Sequence, residues 1–63
     1  MCEFNVILNG KIQCKDIIYA KQEGVNVIVK DIMGMPQEFK NSKIQEIDVP
    51  NARLVLVPTK EAE

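Results

Sequence analysis

Histidine is missing from this 63-residue chain, and so is tryptophan. Without histidine the ordinary neutral-pH proton shuttle is gone, and Ser-His-Asp or Cys-His nucleophilic constellations are excluded. Cysteine is scarce: Cys2 and Cys14 allow at most one intrachain disulfide, far from the cysteine density of a small secreted scaffold. The glycines Gly10, Gly24 and Gly34 stand singly at turn positions and make no phosphate-cradling loop. Arginine occurs once, as Arg53, and the lysines (11, 15, 21, 30, 40, 43 and 60) are spread along a chain of net charge −1. Nucleic-acid binders concentrate basic residues on one face, because phosphate neutralisation supplies most of their affinity. No stretch approaches the ~20 apolar residues of a transmembrane helix. The N-terminus has neither a basic region nor the apolar run of a signal peptide. Together these absences predict a cytoplasmic protein with reduced thiols and no membrane segment.

What is present is a compact hydrophobic complement of 46%, enough for a packed core and too much for a disordered chain. A chain this short buries only about 60% of its unfolded surface. It therefore needs a staple such as a disulfide, a metal or a partner subunit. The cysteine count leaves the metal and the partner.

The hydrophobic pattern has period two. Cys2, Phe4, Val6 and Leu8 point one way, and Glu3, Asn5 and Ile7 the other, as in a half-buried strand. Asn9-Gly10, the commonest hairpin dipeptide, follows. A two-residue loop would set apolar residues against polar ones. A three-residue loop, Asn9 to Lys11, sets Ile12 opposite Leu8, Cys14 opposite Val6 and Ile18 opposite Cys2, and keeps the apolar faces together. Further strands are expected over about 12–20, 25–32, 37–39, 43–49 and 53–58, with turns at Gln22-Glu23-Gly24, Met33-Gly34-Met35-Pro36, Asn41-Ser42 and Pro50-Asn51. Lys43 to Val49 could also hold one turn of helix, but is too short for a stable one. Five or six short strands with regular turns read as a small all-β barrel or sandwich. Residues 1–58 form the single domain, and 59–63 a charged, frayed tail.

The carboxylates (Glu3, Asp16, Glu23, Asp31, Glu38, Glu46 and Asp48) fall on turns and solvent-facing strand positions, which reads as a solvated surface. A chain of this size also has little room for a pocket of about 300 Å³ or more. An enzyme is not expected. Met33 and Met35 could offer thioethers to Cu(I), or could serve as gap fillers or loop anchors.

Cys2 is the residue with chemistry. Loss of Met1 would leave a thiolate and a free α-amine on one residue, which close a five-membered chelate. The backbone nitrogen of Glu3 would add a third donor in the same plane, an arrangement suited to Ni(II) or Cu(II). The alternative is a small apolar residue that merely starts a strand. As a ligand Cys2 still lacks a fourth donor. Cys14 cannot supply it, because four residues of strand span roughly 13 Å and Cys14 reads as core. A second copy of the chain can. The metal reading therefore predicts a homodimer holding one ion between two Cys2 residues.

The opening Met1-Cys2-Glu3, the alternating strand, Asn9-Gly10 and the short all-β chain together resemble the CooT family over nearly the whole length. These are small proteins linked to nickel delivery to carbon monoxide dehydrogenase, also catalogued as predicted RNA-binding proteins. The resemblance implies an Sm-like or SH3-like barrel of antiparallel strands, a homodimer, and Ni(II) held by Cys2 of both chains, in a metallochaperone or nickel sensor. Its clients would be carbon monoxide dehydrogenase or that enzyme's accessory proteins. The alternative it carries is an Sm-like RNA- or protein-interaction module without metal. RNA-binding barrels need aromatic platforms and basic rims, and only Phe4, Tyr19 and Phe39 are aromatic.

Overall fold

The computed structural model describes residues 3–59. They form six strands: β1 (Phe4–Leu8), β2 (Lys11–Glu23), β3 (Asn26–Asp31), β4 (Pro36–Phe39), β5 (Ser42–Asp48) and β6 (Arg53–Pro58). Among the described residues there is no helix: Lys43 to Asp48 are strand rather than a helical turn, and Val49 opens the turn that follows. The strands make one sheet in the order β4-β3-β2-β1-β6-β5. Most neighbours are antiparallel, but β1 and β6 run parallel, with Val6 beside Leu54 and Leu8 beside Leu56.

The expectation of a closed, purely antiparallel barrel is thus corrected on two points. The parallel pair arises because β5 and β6 form a hairpin of their own, which docks whole against the free edge of β1. Hairpin signals in a sequence specify only antiparallel neighbours. The sheet does not close because its two outer strands, β4 and β5, are not paired with each other. The two-residue link Lys40-Asn41 instead carries the chain across the end of the β2–β3 hairpin, where Ser42 N donates to Val25 O at 2.8 Å and Asn41 N to Asn26 Oδ1 at 3.2 Å.

The first hairpin settles the register by a route the pattern did not contain. Asn9 and Gly10, at φ 56° and 77°, make a two-residue loop that pairs Leu8 with Lys11. Positive φ at both central residues is what the type I′ hairpin turn demands. The expected Leu8–Ile12 pairing does not occur. Ile12 lies opposite Ile7, and a bulge then brings Cys14 opposite Val6, as expected. A second irregularity sets Phe4 opposite Ile17. The loop chemistry and the apolar alignment are both satisfied, because β2 absorbs an extra residue at each shift. At the second shift Asp16 adopts φ 60°, and its carbonyl accepts from Ile32 N at 3.0 Å. The expected pairing of Ile18 with Cys2 lies outside the described residues.

Strand β2 continues to Glu23, so the next turn is Gly24-Val25 and not Gln22-Glu23-Gly24. Val6, Ile17, Val27, Val29, Phe39, Leu54 and Leu56 make the core, with Phe4, Leu8, Cys14 and Ile44 packed against it. Val6, Val27 and Val29 are wholly inaccessible. The seven buried side chains come from five strands of one curled sheet, whose concave face encloses them in place of a second layer. Thr59, where the tail was expected to begin, donates its N–H to Asn41 O at 2.8 Å; residues 60–63 lie outside the described residues.

One side chain stitches the curl. Gln22 Nε2 lies within hydrogen-bond distance of the carbonyls of Gly24 (3.0 Å), Asn26 (3.0 Å) and Ser42 (3.1 Å), while its Oε1 accepts from Ile44 N at 2.9 Å. It joins the end of β2 to the start of β5, where no strand ladder does so.

Two outcomes follow from this geometry. Asp16→Val should cost about 1–2 kcal/mol, because a β-branched residue resists the left-handed conformation, whereas Asp16→Gly should be neutral or slightly stabilising; urea unfolding of the two variants separates them. Gln22→Ala should lower stability by about 1–3 kcal/mol and speed hydrogen exchange at the Ile44 amide, with the β1–β2 amides unaffected.

Candidate functional site at the N-terminal edge

Cys2, the metal ligand expected from the sequence, lies outside the described residues, and so does any partner it has. What is described is the platform that carries it. Glu3, whose backbone nitrogen was the expected third donor, is exposed and directly precedes β1. Phe4 is half-buried and starts the strand pairing opposite Ile17. Asn5 N donates to Ala52 O at 2.8 Å, tying the beginning of β1 to the turn between β5 and β6.

That turn is itself well braced. Asp48 Oδ2 accepts from Asn51 Nδ2 at 3.0 Å and Oδ1 from Asn51 N at 3.3 Å, with Arg53 Nη1 3.6 Å from Oδ2. The Asn51 hydrogen bonds, with a smaller contribution from Arg53, hold the Asp48 carboxyl below its usual range. Ala52 completes the turn at φ 54°. The exit of the N-terminus is therefore a fixed point of the fold.

Beside it lies an apolar groove of about 170 Å³. Phe4, Ile18, Tyr19, Ala20 and Ile47 form its sides, and the buried Ile17 and Leu54 its floor. It is smaller than a usual small-molecule pocket, and no ionisable group other than the Tyr19 phenol lines it. Nothing in the sequence pattern marked it, because Ile18, Tyr19 and Ala20 read as an ordinary continuation of an alternating strand. Two consecutive large apolar residues, Ile17 and Ile18, were the available signal: in a strand they must face opposite sides.

The remaining candidates separate in space. Cys14 is half-buried, packs against the core as expected, and is a free thiol. Burial, and to a lesser degree the Asp31 carboxylate, push its pKa up. Met33 and Met35 are 79% and 63% exposed, so they do not fill gaps in the core. Asp31 Oδ1 organises their loop by accepting from Met33 N at 2.9 Å and Met35 N at 3.0 Å. Among the described residues no three Cys, Asp or Glu side chains gather where they could hold a metal ion. Of the carboxylates, Glu3, Asp16, Glu23, Glu38 and Glu46 are exposed, and Asp31 and Asp48 half-buried. Of the aromatics, Phe39 is buried and Tyr19 is the exposed one, with Lys30 Nζ 5.0 Å from its ring centre. A single exposed ring does not make a stacking platform. No helix is long and apolar enough to cross a membrane among the described residues.

In a Cys2→Ser background, alkylation of Cys14 should be slower than that of an unhindered thiol at pH 8. Its rate should rise with a midpoint above the ordinary cysteine range, since the thiolate is the reacting form. Iodoacetamide labelling followed by mass across a pH series checks this.

No curated protein matches the chain. A family model described as CO dehydrogenase accessory protein CooT matches residues 1–57, a span that takes in Cys2, all of β1 to β5 and all but the last residue of β6. The chain belongs to the CooT family of CO dehydrogenase accessory proteins.

Proposed function

We propose that the protein is a nickel-handling accessory factor for carbon monoxide dehydrogenase, working as a homodimer that carries or senses one Ni(II) ion between two Cys2 residues. The observation that carries this reading is the family match over residues 1–57, joined to a cysteine at position 2. The chemistry of the donor set supports it. With no histidine in the chain, soft thiolate and strong-field nitrogen donors are what remain to hold the ion tightly. Cys2 brings a thiolate and, once Met1 is removed, an α-amine, and the following residue brings the backbone nitrogen of Glu3. Sulfur and nitrogen donors in a plane favour Ni(II) and Cu(II) over the hard ions that carboxylates select.

The platform suits such a role. A ligand whose exit point is pinned by the Asn5–Ala52 bond and the braced Asp48–Arg53 turn starts from a defined position. A binding set that lies ahead of the first strand can take up and release cargo without unfolding the sheet. The ion is cargo here, and the protein supplies donors, orientation and a surface for handover. Each thiol must lose its proton, as must any backbone amide that binds, so affinity falls as pH is lowered.

Native mass spectrometry with and without Ni(II) should find one ion per two chains in the wild type and none in Cys2→Ser, with Met1 absent from the metal-binding species. Undiminished nickel binding by Cys2→Ser would refute the assignment.

A further inference from the structure

The tip of the first hairpin carries chemistry that the nickel reading does not use. Asn9 and Gly10 form the whole two-residue loop, and both are exposed and hold positive φ. Where a carboxamide one methylene from the main chain precedes a glycine, the next backbone nitrogen can attack the amide carbon and close a five-membered ring. Glycine has no Cβ to crowd that attack. The space around Gly10 is open, for a Cβ built there would meet no atom within 4 Å. The Gly10 N–H has no hydrogen-bond partner among the described residues.

The other four asparagines lack these conditions. Asn5 and Asn26 precede Val6 and Val27, β-branched residues wholly buried in paired strands. Asn41 precedes the buried Ser42, whose N–H donates to Val25 O at 2.8 Å. Asn51 precedes Ala52, whose N–H donates to Val49 O at 3.0 Å, and its own carboxamide is held by Asp48 Oδ2 at 3.0 Å. Reaction at any of these requires strand pairs or a braced turn to come apart.

At the tip much less has to give way. A type I′ turn holds ψ of its first central residue at about +30°, which points the Gly10 nitrogen away from Asn9 Cβ, so the closed turn does not react. Opening it breaks only the Leu8–Lys11 pair. β1 stays held along its other edge by β6, from Asn5 to Leu8. Local openings of this kind cost far less free energy than global unfolding.

We propose that Asn9 is a site of spontaneous covalent modification, at which the folded protein loses ammonia through local opening of the hairpin tip. The Gly10 nitrogen gives its proton to solvent and attacks Asn9 Cγ. The Cγ–Nδ2 bond breaks and ammonia leaves with a proton from water. A cyclic imide remains, and water opens it at either carbonyl. One water is consumed and one ammonia released, with no change of oxidation state. Opening at the main-chain nitrogen's bond to the side-chain carbonyl restores the normal backbone and gives aspartate. Opening at its bond to the main-chain carbonyl gives isoaspartate, in which the chain runs through the β-carbon. Aspartate suits the turn, since Asp-Gly is also a type I′ dipeptide, and adds one negative charge. Isoaspartate lengthens the main chain by a methylene, so the two-residue loop and the Leu8–Lys11 pair are lost, while the Phe4 end of β1 keeps its pairing with Ile17. The site is at the far end of β1 from Cys2 and does not rest on the nickel reading.

The test is prolonged incubation of the full chain at pH 8, folded and in guanidinium chloride. Peptide mapping by mass locates the ammonia loss, and methyl transfer from S-adenosylmethionine by an isoaspartyl methyltransferase counts isoaspartate. In the folded protein the loss should be confined to the peptide holding Asn9, should yield both products, and should speed up as pH rises. Gly10→Ala, checked for fold by circular dichroism, should slow it by about tenfold, since a Cβ crowds the attacking nitrogen. Gln22→Ala, less stable globally but remote from the tip, should leave the rate unchanged. An Asn9 that stays intact in the folded protein while the unfolded chain reacts overturns the proposal. So do comparable rates at Asn26, Asn41 or Asn51, an unchanged rate in Gly10→Ala, and a rate that climbs in Gln22→Ala, which would make global unfolding the route.

Discussion

The structure depends on the bend in β2. This strand of 13 residues serves two partners in succession, β1 along its first part and β3 along its second. The change of partner occurs at the irregularity around Asp16 and Ile17, where Asp16 takes a left-handed backbone conformation. A single flat sheet of six strands would have two faces and could enclose nothing. The bulges raise the local twist and turn the sheet on itself, so that valines and leucines from β1, β3 and β6 meet the buried Ile17 of β2 and Phe39 of β4 on one concave side. Closure is then left incomplete, and the carboxamide of Gln22 spans part of the gap that a continuous ladder would otherwise fill.

The same bend shapes the edge at which β1 begins. Because β1 begins at Phe4 and β2 continues past Ile17, the β1-side edge of β2 beyond Ile17 has no strand partner among the described residues, and exposed apolar side chains stand beside it. The hydrogen bond from Asn5 to Ala52, and the Asp48–Asn51–Arg53 bracing of that turn, hold the exit point still. The proposed ligand, Cys2, stands two positions before Phe4, the first residue of that strand.

Much of this was legible in the residues. The period-two patterns and β-branched runs located all six strands, and the last one, Arg53–Pro58, to the residue. Cys14 was read as facing the core opposite Val6, and it does. At Asn9-Gly10 two local rules conflict: turn chemistry asks for two residues and apolar alignment for three. The chain satisfies both with a bulge, an option that neither rule contains. Of the two bland readings of Met33 and Met35, gap fillers or loop anchors, the first fails, because both stand exposed on a loop held by Asp31. The groove is not written in any one stretch of sequence, because it is made by residues from four strands, three of which contribute a single residue each.

The amino-acid sequence alone determined the all-β class, the approximate positions of the strands, the exclusion of histidine-based chemistry, and the placement of a thiol at position 2. Those are local properties, written in periodicity, turn residues and composition. Only the tertiary structure decided that β6 lies parallel to β1, that the sheet curls without closing, and that Phe4, Ile18, Tyr19 and Ile47 come together at the start of β1. Those are long-range juxtapositions. They follow from how hairpins dock and where a strand bends to bury apolar surface, and no window of sequence records which distant residues that burial will bring into contact.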